Sequence, residues 1–152
     1  VEGLANEQQA LLLEEAEHLI VGIELAAQVT GLDEPAAAVR ALWRPGRACC
    51  TVTVGARGCW YLTQDGDVRA YPAFRVKAVD TTGCGDVFHG AYAAALARGE
   101  SIDRAIEVAT ATAGLKALQP GGRTGIPGRA AVERFLAEQA RGGRERVEPD
   151  AV

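Results

Sequence analysis

The chain has 152 residues, enough for one domain whose core removes roughly two-thirds of the unfolded surface from water. A hydrophobic fraction of 48% and a charged fraction of 24% are ordinary for a globular protein, and a net charge of −4 supplies no basic field for nucleic acid or an acidic membrane. No apolar run approaches the ~20 residues that span a bilayer, and no signal peptide opens the chain, so a cytoplasmic protein without nucleic-acid or membrane partners is expected.

From Asn6 to Leu19 the chain is rich in Glu, Gln, Leu and Ala. Leu11, Leu12, Ala16 and Leu19 fall at helical spacing, Asn6 can cap, and the glutamates read as a solvated face. Leu19 to Ile23 reads as a short buried strand. Glu24 follows at its C-terminal end, where open α/β sheets place ligands; an ordinary helix-start glutamate is the alternative. Ala26 to Thr30 reads as a helical turn ended by Gly31. Asp33 caps a second helix with Pro35 in its first turn and an apolar stripe of Ala37, Ala38, Ala41 and Leu42, stopped by Pro45-Gly46.

Cys49 to Val54 reads as a second buried strand, running into Thr53-Val54-Gly55-Ala56-Arg57-Gly58. Cys59 to Ala73 then alternates around Asp65-Gly66-Asp67, which predicts a hairpin with a tight turn and makes Trp60, Tyr61 and Tyr71 packing residues. The four cysteines (Cys49, Cys50, Cys59 and Cys84) form no C-x-x-C, and only two His are present, so reduced thiols are expected rather than a zinc site.

Phe74 to Val79 alternates with Phe74, Val76 and Ala78 on one face and predicts a strand. Asp80-Thr81-Thr82-Gly83-Cys84-Gly85-Asp86-Val87-Phe88 follows, then a breaker-poor helical run to Leu96 interrupted only by Gly90. Strand, glycine turn and helix in that order make a ready anion site, because the first N–H groups of a helix lack intrahelical partners and carry partial positive charge. Asp86 would repel a phosphate that was merely bound. A base that takes a proton from an attacking hydroxyl belongs in that place, so the pattern points to phosphoryl transfer. His89 lies on nearly the same helical face as Asp86 and is either a substrate contact, a tuner of Asp86, or a hydrogen-bonded packing residue. Ser101 caps a further helix with Ile102, Ala105, Ile106, Ala109 and Ala113 at 3–4 spacing. Gln119 to Pro127 is a breaker-rich loop. Pro127 opens a last helix with Ala131, Val132, Phe135 and Leu136 inward, and residues 141–152 are expected to form a frayed, flexible tail after a nucleotide-binding part spanning residues 1–140.

DTTGCGDVF resembles the second signature of the ribokinase/PfkB family of carbohydrate kinases, Asp-Thr-x-Gly-(Ala/Cys)-Gly-Asp-x-Phe, at every position. The resemblance covers about residues 18 to 140. It implies the C-terminal half of an α/β, ribokinase-like three-layer sandwich with a mostly parallel central sheet and a β-hairpin. It also implies that the N-terminal half, with the sugar-contacting residues and the lid, lies outside this chain. The lack of Met and the start Val1-Glu2-Gly3 fit a fragment or processed chain, expected to be inactive alone.

By the same resemblance the cofactors are ATP and Mg²⁺, with K⁺ a further candidate, and the substrate is a small-molecule sugar. Asp86 is the catalytic base, and the N–H groups of Gly83, Cys84 and Gly85 form the anion hole. Thr53, Gly55 and Gly58 match the family's Thr-x-Gly-x-x-Gly element beside the nucleotide, and Gly121 belongs to the turn that closes the nucleotide site. Asp80 is a candidate monovalent-cation ligand, with Gly121 and Gly125 supplying backbone only. Glu24 is a candidate for the Mg²⁺ shell, although the family's Asn-x-x-Glu is not reproduced: Gly22 and Leu25 stand at those places. A homodimer in the full-length form is compatible with the resemblance. No G-x-x-x-x-G-K-[ST] occurs, so a P-loop ATPase is excluded by pattern. The alternatives are a non-catalytic nucleotide-binding or regulatory module, and a nucleoside kinase of the same fold.

Overall fold

The structure is a computed structural model and describes residues 13–142. The chain divides into two compact units, Val1–Val54 with Cys59–Ala70, and Gly55–Gly58 with Tyr71–Val152. The expected helix from Asn6 and the expected tail after Ala140 fall mostly outside the described residues.

The first unit is built on strand β1 (His18–Gly22), helices α1 (Ile23–Thr30) and α2 (Pro35–Leu42), and strands β2 (Cys49–Thr53) and β3 (Cys59–Thr63); β4 (Val68–Tyr71) completes the sheet in the order β1-β2-β3-β4. β1 pairs parallel to β2, with Ile20 opposite Thr51, because two helices carry the chain back over the sheet between them. β2 pairs antiparallel to β3, with Thr51 opposite Tyr61. The sheet is therefore mixed rather than mostly parallel. Residues 54–58 alone join β2 to β3, and a parallel crossover takes about a dozen residues or more. The predicted hairpin around Asp65-Gly66-Asp67 joins β3 to β4.

Local signals explain the boundaries. β1 begins at His18 and claims Leu19 from the expected helix, because Leu19 and Val21 alternate into the core at period two. Gly31, left-handed at φ 74°, ends α1, its N–H donating to the Ala27 carbonyl at 2.8 Å. The cap of α2 is Glu34, not Asp33: the Glu34 carboxylate accepts from the N–H groups of Ala36 and Ala37 at 2.9 and 2.6 Å. Pro35 at the first helical position fixes the cap one residue before it. The buried stripe is accordingly Pro35, Ala38, Val39 and Leu42, while Ala41 faces solvent.

Ala38, Val39 and Leu42 meet Leu19, Val21, Ala26, Cys50, Val52, Trp60 and Leu62 in one apolar cluster. Each fully buried Val or Leu contributes about 1.5–3 kcal/mol. Arg47 is buried at the edge of this unit, where its guanidinium donates to the carbonyls of Ala16, at 2.6 Å, and Leu13.

The second unit carries helices α3 (Cys84–Ala97), α4 (Ile102–Lys116) and α5 (Arg129–Arg141). α3 and α4 pack on each other through small residues, with Ala95, Ala105 and Ala109 wholly buried. Ser101 caps α4 as its sequence predicts, accepting from the Arg104 N–H at 3.3 Å. α5 starts at Arg129 with Gly128 as its cap, two residues later than Pro127 suggests; Val132 and Leu136 are its buried residues. Phe74 stacks edge-on to Phe135, with centroids 5.1 Å apart, and to Tyr71 at 6.3 Å. The Tyr71 hydroxyl donates to Glu107 at 2.9 Å.

The strand expected over Phe74–Val79 does not form; only Phe74 makes a bridge and Ala78 is exposed. The segment satisfies its backbone elsewhere. The N–H groups of Val79 and Asp80 both donate to the Ala117 carbonyl, at 2.7 and 3.1 Å, which moors the segment to the end of α4. Among the described residues no helix is long and apolar enough to cross a membrane.

Candidate active site

The glycine turn before α3 takes the shape its sequence implies. Gly83 is the N-cap of α3 in a left-handed conformation, φ 76°, which an L side chain rarely adopts. A Cβ there would also stand 3.0 Å from the Gly122 carbonyl oxygen, so the turn and the loop after α4 approach each other through glycines. Gly85 is different. It sits in the first turn of the helix with an ordinary φ, and a Cβ would meet nothing within 4 Å. Nothing in the protein itself requires glycine there.

Three N–H groups were assigned to the anion hole, and one is already engaged. The Cys84 N–H donates to the Thr81 carbonyl at 3.0 Å, closing the turn. The N–H groups of Gly83, Gly85 and Asp86 have no backbone or side-chain acceptor among the described residues. The donors open to an anion are thus Gly83, Gly85 and Asp86 rather than Gly83, Cys84 and Gly85. The Cys84 side chain turns inward instead, its thiol 3.5 Å from the Ala113 carbonyl and held above the usual thiol range by burial.

Asp86 is exposed in the first turn of α3. With Gly83, Gly90, Ala94, Arg98 and Gly122 it lines a pocket of about 490 Å³ that lies within the second unit. His89 bonds back onto its own helix: Nδ1 lies 2.8 Å from the Gly85 carbonyl, which can only accept, so the proton is on Nδ1. That bond ties the imidazole to the glycine turn.

Asp80 anchors the turn from behind. Its Oδ1 accepts from the Thr82 N–H at 2.8 Å and its Oδ2 from the Gly121 N–H at 2.7 Å. Those bonds, the Thr82 backbone N–H foremost, then the Thr82 side chain and Gly121, hold the carboxyl down at about 2. Gly121 therefore joins Asp80 through its N–H.

The remaining predicted residues divide between the units. Gly55 and Gly58 belong to the second unit, in and after a 3-10 turn at Gly55–Arg57. Gly58 has a fold reason for being glycine, since a Cβ would lie 2.1 Å from the Tyr71 carbonyl oxygen. Thr53 and Glu24 belong to the first unit. The Thr53 hydroxyl donates to the Val21 carbonyl at 3.4 Å. Glu24 lies exposed in the first turn of α1, not on the strand end, and a Cβ on Gly22 would be 3.1 Å from its Oε2, so the carboxylate folds back over Gly22. Among the described residues no group of three or more His, Cys, Asp or Glu gathers where it could hold a metal ion.

Sequence reasoning missed three participants. Lys116 lies wholly buried under the turn, and its only warning was a lone charge in the small, apolar run Ala109–Leu118. Thr82 supplies the bond that orients Asp80, at a position the signature leaves free. Gly122 gives the turn its close neighbour, and the Gly-Gly pair in the loop was its signal.

Residues 4–129 match the family described as pfkB family carbohydrate kinase. A ribokinase of Haemophilus influenzae is 33% identical over 118 residues, 78% of this chain and 37% of that protein. Among solved structures, a ribokinase-like protein of Agrobacterium tumefaciens superposes with a TM-score of 0.83 at 31% identity, over 89% of this chain and 45% of that one. An Arabidopsis thaliana ribokinase, solved with ribose and ATP, gives a TM-score of 0.75 at 26% identity, over 90% of this chain and 46% of that one. The chain spans about a third of the length of the curated relatives it matches. The fold is α/β and ribokinase-like, and the chain belongs to the pfkB family of carbohydrate kinases.

Proposed function

We propose that this chain carries the phosphoryl-transfer machinery of an ATP-dependent sugar kinase. The observation that carries the reading is the pairing at the start of α3: open amides at Gly83, Gly85 and Asp86 beside the exposed Asp86 carboxylate, which itself has no side-chain bond among the described residues. A helix N-terminus with open donors suits the oxygens of a transferring phosphoryl group. An adjacent carboxylate without a partner is free to accept the proton of the attacking hydroxyl. The glycine at 85, which the fold does not require, leaves the backbone accessible to a ligand at that point.

In this reading Asp86 takes the proton from a sugar hydroxyl as its oxygen attacks the γ-phosphorus of ATP, and the bond to the β,γ-bridging oxygen breaks to release ADP. The amides and the α3 dipole stabilise the charge on the phosphoryl oxygens. Thr53, Gly55 and Gly58 position the nucleotide, and the loop at Gly121 closes over it. ATP as donor is supported by the Arabidopsis ribokinase solved with ribose and ATP. The donor chemistry also fits Mg²⁺, a hard cation that takes one or two carboxylates besides phosphates and water; Glu24 is an exposed carboxylate of that kind. When bound, Mg²⁺ would neutralise phosphate charge, with Glu24 the candidate residue for its water shell.

The test is ADP release from Mg·ATP by the full-length protein across a panel of ketoses, aldoses, sugar acids and nucleosides, with Asp86→Asn alongside. Release that depends on one sugar and falls at least ~100-fold in the variant is the expected result. A nucleoside as the only productive acceptor would move the reading to a nucleoside kinase. Near-normal turnover in the variant would remove Asp86 as the base.

A further inference from the structure

Lys116 closes the last turn of α4, and its side chain is 0% exposed. A buried ammonium is costly without partners, so its surroundings define its role. Nζ donates to the backbone carbonyl of Asp80 at 3.0 Å. It stands at the C-terminal end of a fifteen-residue helix, where the helix dipole favours a cation, and it acts on the Asp80 carboxyl as a favourable charge.

This is the corner where the family pattern would set a monovalent cation, and the residues present do not fit one. An alkali cation needs inward-pointing oxygen atoms. Here the Asp80 carboxylate faces two N–H groups, of Thr82 and Gly121, and its carbonyl faces the Lys116 ammonium. The Ala117 carbonyl already accepts from the N–H groups of Val79 and Asp80. Donors face both oxygens of the Asp80 carboxylate and its carbonyl, and a second monocation would meet the like charge of Lys116 in a partly desolvated place.

We infer that the Lys116 ammonium is the built-in monocation of this corner, holding the Asp80 carbonyl and with it the signature turn, so that the protein needs no K⁺ there. An ammonium group and K⁺ are close in size and charge, which makes the exchange chemically reasonable. Lys116 is then a positioning residue: it touches neither nucleotide nor sugar but sets the turn that presents Gly83, Gly85 and Asp86. The consequence for turnover rests on the kinase reading; the placement of the cation does not.

The test reads thermal unfolding of the full-length protein without nucleotide or sugar, in KCl and in choline chloride at equal ionic strength. A ligand that binds only the folded state raises the midpoint, so an occupied K⁺ site would show as a saturable, K⁺-selective rise. The wild type is expected to unfold at the same temperature in both salts. Lys116→Met, which keeps the length and removes the charge, is expected to unfold earlier and to regain part of the loss in KCl only. Lys116→Gln serves the same purpose if the Met variant does not fold. A K⁺-selective rise in the wild type would overturn the inference. So would a folded Lys116 variant as indifferent to K⁺ as the wild type, since that would make the lysine mere filling. Because no substrate is present, either outcome is separate from the fate of the kinase reading.

Discussion

The Gly121 amide donates to the Asp80 carboxylate at 2.7 Å, joining residues 41 positions apart. The other oxygen of the same carboxylate holds the Thr82 N–H at 2.8 Å. One side chain thus ties the turn before α3 to the loop after α4, and Gly83 meets Gly122 where the two approach. The turn that would hold a phosphate does not stand alone: its geometry depends on a loop that follows it by a whole helical hairpin.

That tie titrates. The bonds from Thr82 and then Gly121 lower the Asp80 carboxyl to about 2, against an ordinary value of about 3.9. A depressed carboxyl contributes stability that is fully present above the unfolded value and is lost as pH falls through the folded one. Asp80→Asn cannot ionise and loses one acceptor. The gap in unfolding midpoint between wild type and variant is therefore expected to be constant above about pH 5 and to close toward about pH 2. Midpoints measured across that range check it, and a gap that does not change with pH would contradict the assignment.

Two glycines separate fold from function. At Gly58, φ is 94° and a Cβ would overlap the Tyr71 carbonyl oxygen at 2.1 Å. Gly58→Ala is expected to cost at least about 2 kcal/mol of stability, measured by denaturant unfolding. At Gly85 a Cβ would meet nothing within 4 Å. Gly85→Ala is expected to leave the midpoint unchanged or slightly raised, since Ala is the better helix former, while phosphoryl transfer falls at least ~10-fold. Full activity in Gly85→Ala would show that no ligand approaches that backbone.

Arg104 on α4 reaches Glu107 at 2.8 Å, Glu100 at 3.7 Å and Glu133 on α5. It is the shared cation of three carboxylates at the edge of the second unit, and its side chain is about a third exposed. Arg104→Met is expected to cost about 1–2 kcal/mol, as a partly screened network rather than a buried pair. The loss should shrink between low and high salt, and a salt-independent loss would point to packing by the aliphatic stem instead.

Much of this was legible in the chain because local chemistry decided it. Gly31, Pro35, Ser101 and the Asp65-Gly66 turn act within a few residues of themselves, and each fell where its pattern put it. The signature turn was legible for the same reason. What the sequence misplaced depends on distant partners. Phe74–Val79 alternates like a strand, but Val79 and Asp80 find their acceptor at Ala117, and no local pattern reports that. The anion-hole assignment to Cys84 failed on a single turn bond to Thr81. Lys116 carries no local mark of its place: only the packing of α4 against the turn makes it a buried cation.

Cys84 gives a chemical probe of the turn. Cys49, Cys50 and Cys59 are at most 1% exposed, and burial pushes the Cys50 thiol up to about 12. Cys84 is half-buried, and desolvation, its largest influence, raises its thiol above the ordinary range. Only the thiolate reacts, so labelling should be confined to Cys84, slower than for a free cysteine at neutral pH, and faster as pH rises toward 9 and beyond. Mass spectrometry after alkylation of the native protein identifies the modified residue. Because Cys84 lies between Gly83 and Gly85, Mg·ATP is expected to slow the labelling, and the adduct is expected to abolish phosphoryl transfer. Adducts at Cys49, Cys50 or Cys59 without denaturant would contradict the packing of the first unit's sheet. Labelling of Cys84 at an unchanged rate with saturating ATP would contradict a phosphate at this turn.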